Sequence, residues 1–177
     1  MYEHSVLLTE DQIQSRVAEL AKTLNRDYRG KTLNAVCVLK GAILFTADLV
    51  RHLDIPVRLH FVQTASYQDS TVSSGTIQLV YSSVQDVRDL DLLVIEDVID
   101  TGLTLDRLVR WFLVKGASAV RSCVLLDKQE RRKVQIRPDY TGFLIPNQFV
   151  IGYGLDYREF GRNLRYVGVL AADEYEK

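Results

Sequence analysis

Hydrophobic and polar positions along this chain follow two different periods, and their succession predicts a fold class. Thr9-Glu10-Asp11-Gln12 has the form of a capping box, and Ile13, Val17, Leu20, Ala21 and Leu24 then recur on one helical face. Residues 9 to 25 are therefore predicted as an amphipathic helix. Asn34 to Leu39 is a short apolar run of the kind that forms a buried strand, and beyond Lys40-Gly41 a helical pattern extends from Ala42 to about Leu53. Pro56 punctuates the chain before a strand from Val57 to Ala65, and another strand is expected near Thr76 to Tyr81. Leu92 to Ile95 is predicted as a buried strand, followed by a helix from about Leu103 to Lys115. Leu105, Leu108, Val109 and Phe112 form the apolar stripe of that helix, Gly116 is placed to end it, and Ala119 to Leu126 follows as a strand. Strand and helix in alternation predict an α/β domain with a mainly parallel, twisted sheet flanked by helices.

The last third breaks this rhythm. Tyr140 to Ile145, Phe149 to Gly152 and Leu164 to Leu170 are short strand-like pieces with no crossover helices between them. They are assigned, with the N-terminal segment, to a small hood over one edge of the sheet. The expected organisation is one domain over 1–177, with a core at about 34–130 and a hood from about 1–33 and 140–177. Ser66 to Gly75 is polar, small and Gly-terminated, and it is longer than most hairpin loops, so it reads as a lid.

Composition narrows the function. In 177 residues, 47% are apolar and 25% charged, which is the balance of an ordinary globular protein with a sizeable core. The net charge of −1 gives no reason to expect nucleic acid or an anionic membrane as a partner. Cys37 and Cys123 each sit in an apolar run, as two buried thiols would, and the three histidines have no ligand spacing. The absence of a signal segment or membrane-length apolar run leads to the expectation of a cytoplasmic protein.

The richest chemistry lies at Leu92 to Leu105. An apolar strand runs into Glu96, Asp97 and Asp100, then into Thr101-Gly102-Leu103-Thr104 at the start of a helix. The unpaired N–H groups and dipole of a helix start favour a phosphate, and two hydroxyls stand beside them. Glu96 and Asp97, as pure acceptors when ionised, suit a pair of sugar hydroxyls. Ribose beside phosphate is the economical reading. Lys40-Gly41 falls at another strand-to-helix junction, on the edge where open α/β sheets bind ligands.

The run of two apolar residues, two acids, two apolar residues, an acid and Thr-Gly-x-Thr resembles the signature of the type I phosphoribosyltransferases. With Val38-Leu39-Lys40-Gly41 and Phe149-Val150-Ile151-Gly152-Tyr153-Gly154-Leu155-Asp156-Tyr157, the chain is similar to the hypoxanthine-guanine phosphoribosyltransferases, the 6-oxopurine salvage branch, from about Val36 to Leu170. That resemblance implies the type I fold and an enzyme that moves a 5-phosphoribosyl group from 5-phosphoribosyl 1-diphosphate to hypoxanthine and/or guanine. It also implies Mg2+ as cofactor and a homodimer or homotetramer.

The resemblance further implies roles. Glu96 and Asp97 hold the ribose hydroxyls, Asp100 to Thr104 wraps the 5′-phosphate, and Asp100 is the candidate general base. Lys40, Gly41 and Arg162 bind pyrophosphate, and the peptide bond before the Lys is often cis in the family. Phe149 stacks on the purine, Lys128 donates to O6, Val150 offers backbone hydrogen bonds, and Asp156 is a magnesium ligand whose carbonyl lies near the purine 2-position. Glu96 and Asp97 are the other candidate metal residues, and Ser66-Tyr67 matches the Ser-Tyr pair of the mobile catalytic loop. The four charges in Gln129 to Lys133 read as a solvated loop.

Two features depart from the family pattern. Asp89-Leu90 stands where many members have a Gly-Lys or Gly-Arg turn, and Gly161 precedes Arg162 where a bulkier residue is common. Two other readings stay open at this point. One is transfer to another base (xanthine, uracil or adenine), and the other is a non-catalytic sensor of a phosphoribosyl ligand with the same fold.

Overall fold

A computed structural model describes residues 3–65 and 78–175. The chain opens with strand β1 (His4–Leu8) and helix α1 (Glu10–Asp27). Thr9 caps α1 in both directions: its Oγ1 accepts the Gln12 N–H at 3.3 Å, and its own N–H donates to Gln12 Oε1 at 2.9 Å. There follow β2 (Leu33–Leu39), α2 (Ile43–Arg51), β3 (Val57–Ala65), β4 (Gln78–Ser82), β5 (Asp91–Ile99), α3 (Leu103–Val114) and β6 (Ala119–Asp127). The chain ends with β7 (Tyr140–Leu144), β8 (Val150–Ile151), β9 (Val167–Leu170) and the short helix α4 (Ala172–Tyr175).

Six strands form the main sheet in the order β4-β3-β2-β5-β6-β7, parallel throughout except between β3 and β4. Two apolar layers cover it. Ile13, Val17 and Leu24 of α1 and Phe45 and Leu49 of α2 pack with Leu93 and Ile95, whereas Leu105, Leu108 and Phe112 of α3 pack with Val36, Val94 and Val124. The central strands are buried on both sides, which is why their sequences read as continuous apolar runs. Cys37 and Cys123 are buried free thiols within them, and burial pushes the Cys123 thiol up to about 12.

A second, antiparallel sheet joins β1, β9 and β8 in that order, and the turn that follows β8 brings Gly154 against Gly41 at the end of β2. The segment at Tyr140–Leu144 departs from the sequence-based assignment to the hood. As β7 it pairs in parallel with β6, from Cys123 opposite Tyr140 to Asp127 opposite Leu144, and extends the core sheet. No helical crossover precedes it; the connection contains only a 3-10 turn at Gln129–Arg131, so the usual sequence cue is missing. Helix α1 packs against both core and hood, in an apolar cluster that holds Leu93 and Ile95 of the core and Val150 and Val167 of the hood. Strand β5 runs on through Ile99, four residues past the expected end, because β6 keeps pairing with it from Glu96 opposite Val124 to Ile99 opposite Asp127.

At the turn before β5, Asp89 adopts φ 61 and its N–H donates to the Gly116 carbonyl at 3.0 Å. Asp thereby takes the left-handed conformation that Gly would supply there. Among the described residues no helix is long and apolar enough to cross a membrane.

Candidate active site

β2 and β5 are parallel neighbours with Cys37 opposite Ile95, so both release their chains at one sheet edge. β2 ends at Leu39 and leads into Lys40-Gly41, and the Leu39–Lys40 peptide is cis, the geometry the sequence resemblance leads one to expect. Gly41 then lies directly against Asp97 of β5: a Cβ on Gly41 would overlap the Asp97 carboxylate. The absence of a side chain at 41 is what allows the two strand ends to close together.

Along β5, side-chain alternation inverts at the acids. Leu93 and Ile95 pack in the layer with α1 and α2, and Leu92 and Val94 in the layer with α3; beyond the acids Val98 returns to the first layer and Ile99 to the second. Glu96 and Asp97 occupy the inversion. Glu96 is 7% exposed and forms no ion pair with Lys or Arg among the described residues. Burial, and then the neighbouring Asp97, pushes its carboxyl up to about 8. Burial also raises Asp97, against the Val98 N–H that its Oδ1 accepts at 2.8 Å and the charge of Arg162. A buried acid with no ion pair beside a half-buried one suits sugar hydroxyls or a divalent ion carried with substrate.

The next turn is shaped for an anion. Gly102 has φ 81, and a Cβ there would meet Arg132, Val134 and Ile136 at 2.8 to 2.9 Å, so only Gly can hold this position. Thr101 Oγ1 accepts the Leu103 N–H at 3.4 Å, and α3 starts at Leu103. The first N–H groups of this helix of 12 residues lie at the turn, flanked by Thr101 and Thr104. Asp100 stands at its entrance. Its Oδ1 is buried with no hydrogen-bond partner among the described residues, and its Oδ2 is 3.4 Å from Arg131. An acceptor held dry and unpaired is a group awaiting a donor.

Arg132, which its charged sequence context places in a solvated loop, is mostly buried. Its Nε donates to the Asp100 carbonyl at 3.2 Å, its Nη1 donates to the Ile136 carbonyl, and its Nη2 pairs with Asp127. Lys133 N–H donates to the Thr101 carbonyl at 2.9 Å. The segment after β6 thus braces the Thr101–Thr104 turn from behind. The paired ends of β5 and β6 put Asp100 and Asp127 near one another, and that need for a counter-charge is the signal that points to Arg132.

Lys128 continues from β6, its N–H donating to the Ile99 carbonyl at 2.9 Å. The residue is 9% exposed. Burial lowers its ammonium pKa, while Asp100 and Asp97 pull the other way. Phe149 is half-buried and meets Tyr157 edge to face, with centroids 5.4 Å apart. Val150 is buried in β8, an edge strand of the small sheet.

The hood delivers the remaining residues. Gly154 presses on Gly41, where a Cβ would overlap the Gly41 carbonyl, and Arg162 Nη1 donates to the Gly154 carbonyl at 2.8 Å. Arg162 Nη2 pairs with Asp156 at 2.6 Å. Tyr153, at φ 49, anchors this turn: its hydroxyl donates to Asp48 Oδ2 at 2.7 Å, where Gln14 Nε2 also donates at 2.7 Å. Lys40 Nζ is held at 3.0 Å by Glu159. The pairings of Asp48, Tyr153 and Glu159 leave no local cue in the sequence, because they join segments far apart in the chain.

Lys40, Gly41, Asp97, Asp156 and Arg162 therefore meet at one place, with Lys128 and Asp100 within electrostatic reach of Asp97 or one another. Ser66 and Tyr67 lie outside the described residues. Among the described residues no cluster of three or more His, Cys, Asp or Glu forms a metal site. The acids are instead disposed singly and as one adjacent pair, which fits an ion that brings most of its own oxygen ligands.

Comparison with known proteins agrees with this geometry. The phosphoribosyl transferase domain family matches residues 6–158. The chain is 44% identical over 171 residues to a hypoxanthine-guanine phosphoribosyltransferase of Bacillus subtilis, covering 97% of this chain and 95% of that protein. It is 45% identical over 170 residues to one of Streptococcus pneumoniae, covering 96% and 94%. Among solved structures, a hypoxanthine phosphoribosyltransferase from Staphylococcus aureus superposes with a TM-score of 0.91 at 39% identity, covering 98% of this chain and 94% of that one. One from Trypanosoma cruzi gives 0.92 at 37% identity, covering 99% and 95%. The mostly parallel sheet with its terminal hood is the type I phosphoribosyltransferase fold, and the chain belongs to the hypoxanthine-guanine phosphoribosyltransferase family.

Proposed function

We propose that this protein is a purine-salvage enzyme that transfers the 5-phosphoribosyl group of 5-phosphoribosyl 1-diphosphate to hypoxanthine and/or guanine, releasing pyrophosphate. The observation that carries this reading is the convergence at one sheet edge of three things a transfer needs. These are the turn Asp100 to Thr104 at the start of α3, Lys40–Gly41 and Arg162 beside Asp97, and a buried Lys128 within electrostatic reach of Asp100. A sensor of a phosphoribosyl ligand needs only the first.

In the reaction, the bond from the anomeric carbon to the diphosphate oxygen breaks and a bond to a purine ring nitrogen forms. Positive charge develops on the ribose, so positioning and electrostatics carry the catalysis. Thr101 to Thr104 hold the 5′-phosphate on the N–H groups that open α3, and Glu96 and Asp97 accept from the ribose hydroxyls. Asp100, through its unpaired buried Oδ1, takes the proton that the purine ring loses. Lys40, the Gly41 backbone and Arg162 bind the leaving pyrophosphate; the guanidinium is suited to two phosphate oxygens at once. Phe149 stacks on the base, Val150 binds it through its backbone, and Lys128 donates to O6. A donor at that position selects an oxo purine and leaves the amino group of adenine without an acceptor.

Glu96, Asp97 and Asp156 would hold Mg2+ arriving with the diphosphate. When bound, the ion neutralises the diphosphate's charge and so improves the leaving group. Ser66 and Tyr67 complete the reading as the lid over the pyrophosphate side, excluding water that would otherwise hydrolyse the activated ribose. Assembly as a homodimer or homotetramer belongs to the same reading and is checked by light scattering. The test of the activity is pyrophosphate release from the donor with Mg2+ on adding hypoxanthine or guanine. Release that does not depend on the purine contradicts it.

A further inference from the structure

Glu159 has no part in the roles assigned above, yet its carboxylate lies between the two cations of the proposed diphosphate subsite. Its Oε2 is 3.0 Å from Lys40 Nζ, and its Oε1 is 3.6 Å from Arg162 Nη2. Lys40 and Glu159 are separated by 119 positions in sequence, so only the folded hood brings them together. The backbone is specifically shaped to do this. Arg158 and Glu159 stand at φ 52 and 68, in the left-handed region that residues with side chains seldom adopt. The turn is closed by the Glu159 N–H, which donates to Asp156 Oδ2 at 2.8 Å.

A carboxylate that offers one oxygen to each of two cations presents them with what a diphosphate presents. We propose that Glu159 sets the affinity for diphosphate-bearing substrates by occupying Lys40, beside an Arg162 that Asp156 holds more closely, until the diphosphate displaces it. The inference rests on the reading of those two residues as diphosphate ligands. Binding then exchanges one anion for another at Lys40, so the gain on binding is the difference between two ion pairs rather than the whole of one. The freed Glu159 carboxylate also remains beside the product and favours its departure. Both members of the Lys40–Glu159 pair are largely exposed, so the effect has the scale of an exposed ion pair, about two- to fivefold in affinity.

The sign of the effect separates this role from a supporting one. Glu159→Gln keeps the length of the side chain and the backbone hydrogen bond to Asp156 while removing the charge. In steady-state kinetics the variant is expected to lower the KM for the diphosphate donor and the inhibition constant of pyrophosphate, each by about two- to fivefold. The purine KM stays where it was. A residue that merely positioned Arg162 would raise the donor KM on substitution; a raised or unchanged donor KM overturns the proposal. In a Lys40→Ala background the gain from Glu159→Gln is expected to shrink by at least half. A full gain there shows that the charge acts through bulk repulsion alone and also overturns it. Lys40→Ala by itself raises the donor KM if Lys40 binds diphosphate. An unmoved KM in that single variant removes the underlying reading of Lys40, a failure distinct from those of Glu159, and the proposal falls with it.

Discussion

Gly41 and Asp97 touch with no room for a side-chain carbon between them: a Cβ on Gly41 would overlap the Asp97 carboxylate. The contact joins the end of β2 to the end of β5, and Gly154 of the hood stacks on the same Gly41 from another direction. Three segments distant in sequence are thus held together at Gly41, by the Asp97 carboxylate on one contact and the Gly154 backbone on the other, and the proposed ribose and diphosphate groups take their relative positions from it.

Gly41→Ala tests that contact. The Gly41 backbone is outside the left-handed region, so alanine is conformationally acceptable and the cost arises from displacing Asp97 or Lys40. The specificity constant for the diphosphate donor is expected to fall at least about tenfold, equivalent to about 1.4 kcal/mol in transition-state stabilisation. The melting temperature should drop by only a few degrees. Wild-type donor kinetics would show that the contact is incidental.

Asp100→Asn removes the basic oxygen while keeping the size of the side chain. Because general-base catalysis contributes about 10²–10⁴-fold, nucleotide formation should slow by at least about tenfold. Donor binding, measured by calorimetry, should be nearly unchanged, since the phosphate turn relies on Thr101 to Thr104. Unaltered turnover would take Asp100 out of the base role.

The buried Glu96 predicts a pH dependence of stability. Its carboxyl is raised from 4.5 to about 8 by burial and by Asp97, so the folded protein keeps a proton that the unfolded chain loses. The resulting stabilisation is complete below about 4.5 and is lost as the pH rises through about 8. Asp27, Asp86 and Glu159 are shifted downward and titrate below this window. Glu96→Gln should therefore flatten the decline in melting temperature across the window, while parallel curves for the two proteins would contradict the assignment.

Arg132→Met preserves much of the side chain's apolar bulk but leaves Asp127, 3% exposed, as a buried charge without its partner. Breaking a buried pair in this way costs about 3 kcal/mol, which urea denaturation can measure. The double variant with Asp127→Asn should lose less than the sum of the two single changes. Strict additivity would show that the pair does not act as a unit.

The sequence made the main elements legible because their signals are local. The Thr9–Gln12 capping box, the apolar runs of β2 and β6, and the helical stripe at Leu105, Leu108 and Phe112 all lie where their patterns put them. What was missed depends on partners far along the chain. β5 seemed to stop at Ile95 because acids are poor strand residues in isolation; pairing with β6 carries it to Ile99. Tyr140–Leu144 lacked a crossover helix to mark it as a sheet strand. Arg132 looked like one charge in a charged loop until Asp127 and the Asp100 carbonyl were brought to it. Lys40, Gly41, Asp97, Asp156 and Arg162 were each nameable from motifs, but the contact of Gly41 with both Asp97 and Gly154 is a property of the folded chain.

The central claim is transfer of a phosphoribosyl group to a 6-oxopurine. The most direct measurement incubates the protein with 5-phosphoribosyl 1-diphosphate, Mg2+ and an equimolar mixture of hypoxanthine, guanine, xanthine, adenine and uracil, and identifies the nucleotides by mass. The account predicts the nucleotide of hypoxanthine, of guanine, or of both as the main product, with one pyrophosphate released for each. A main product from adenine or uracil, or no nucleotide from any base, would contradict it.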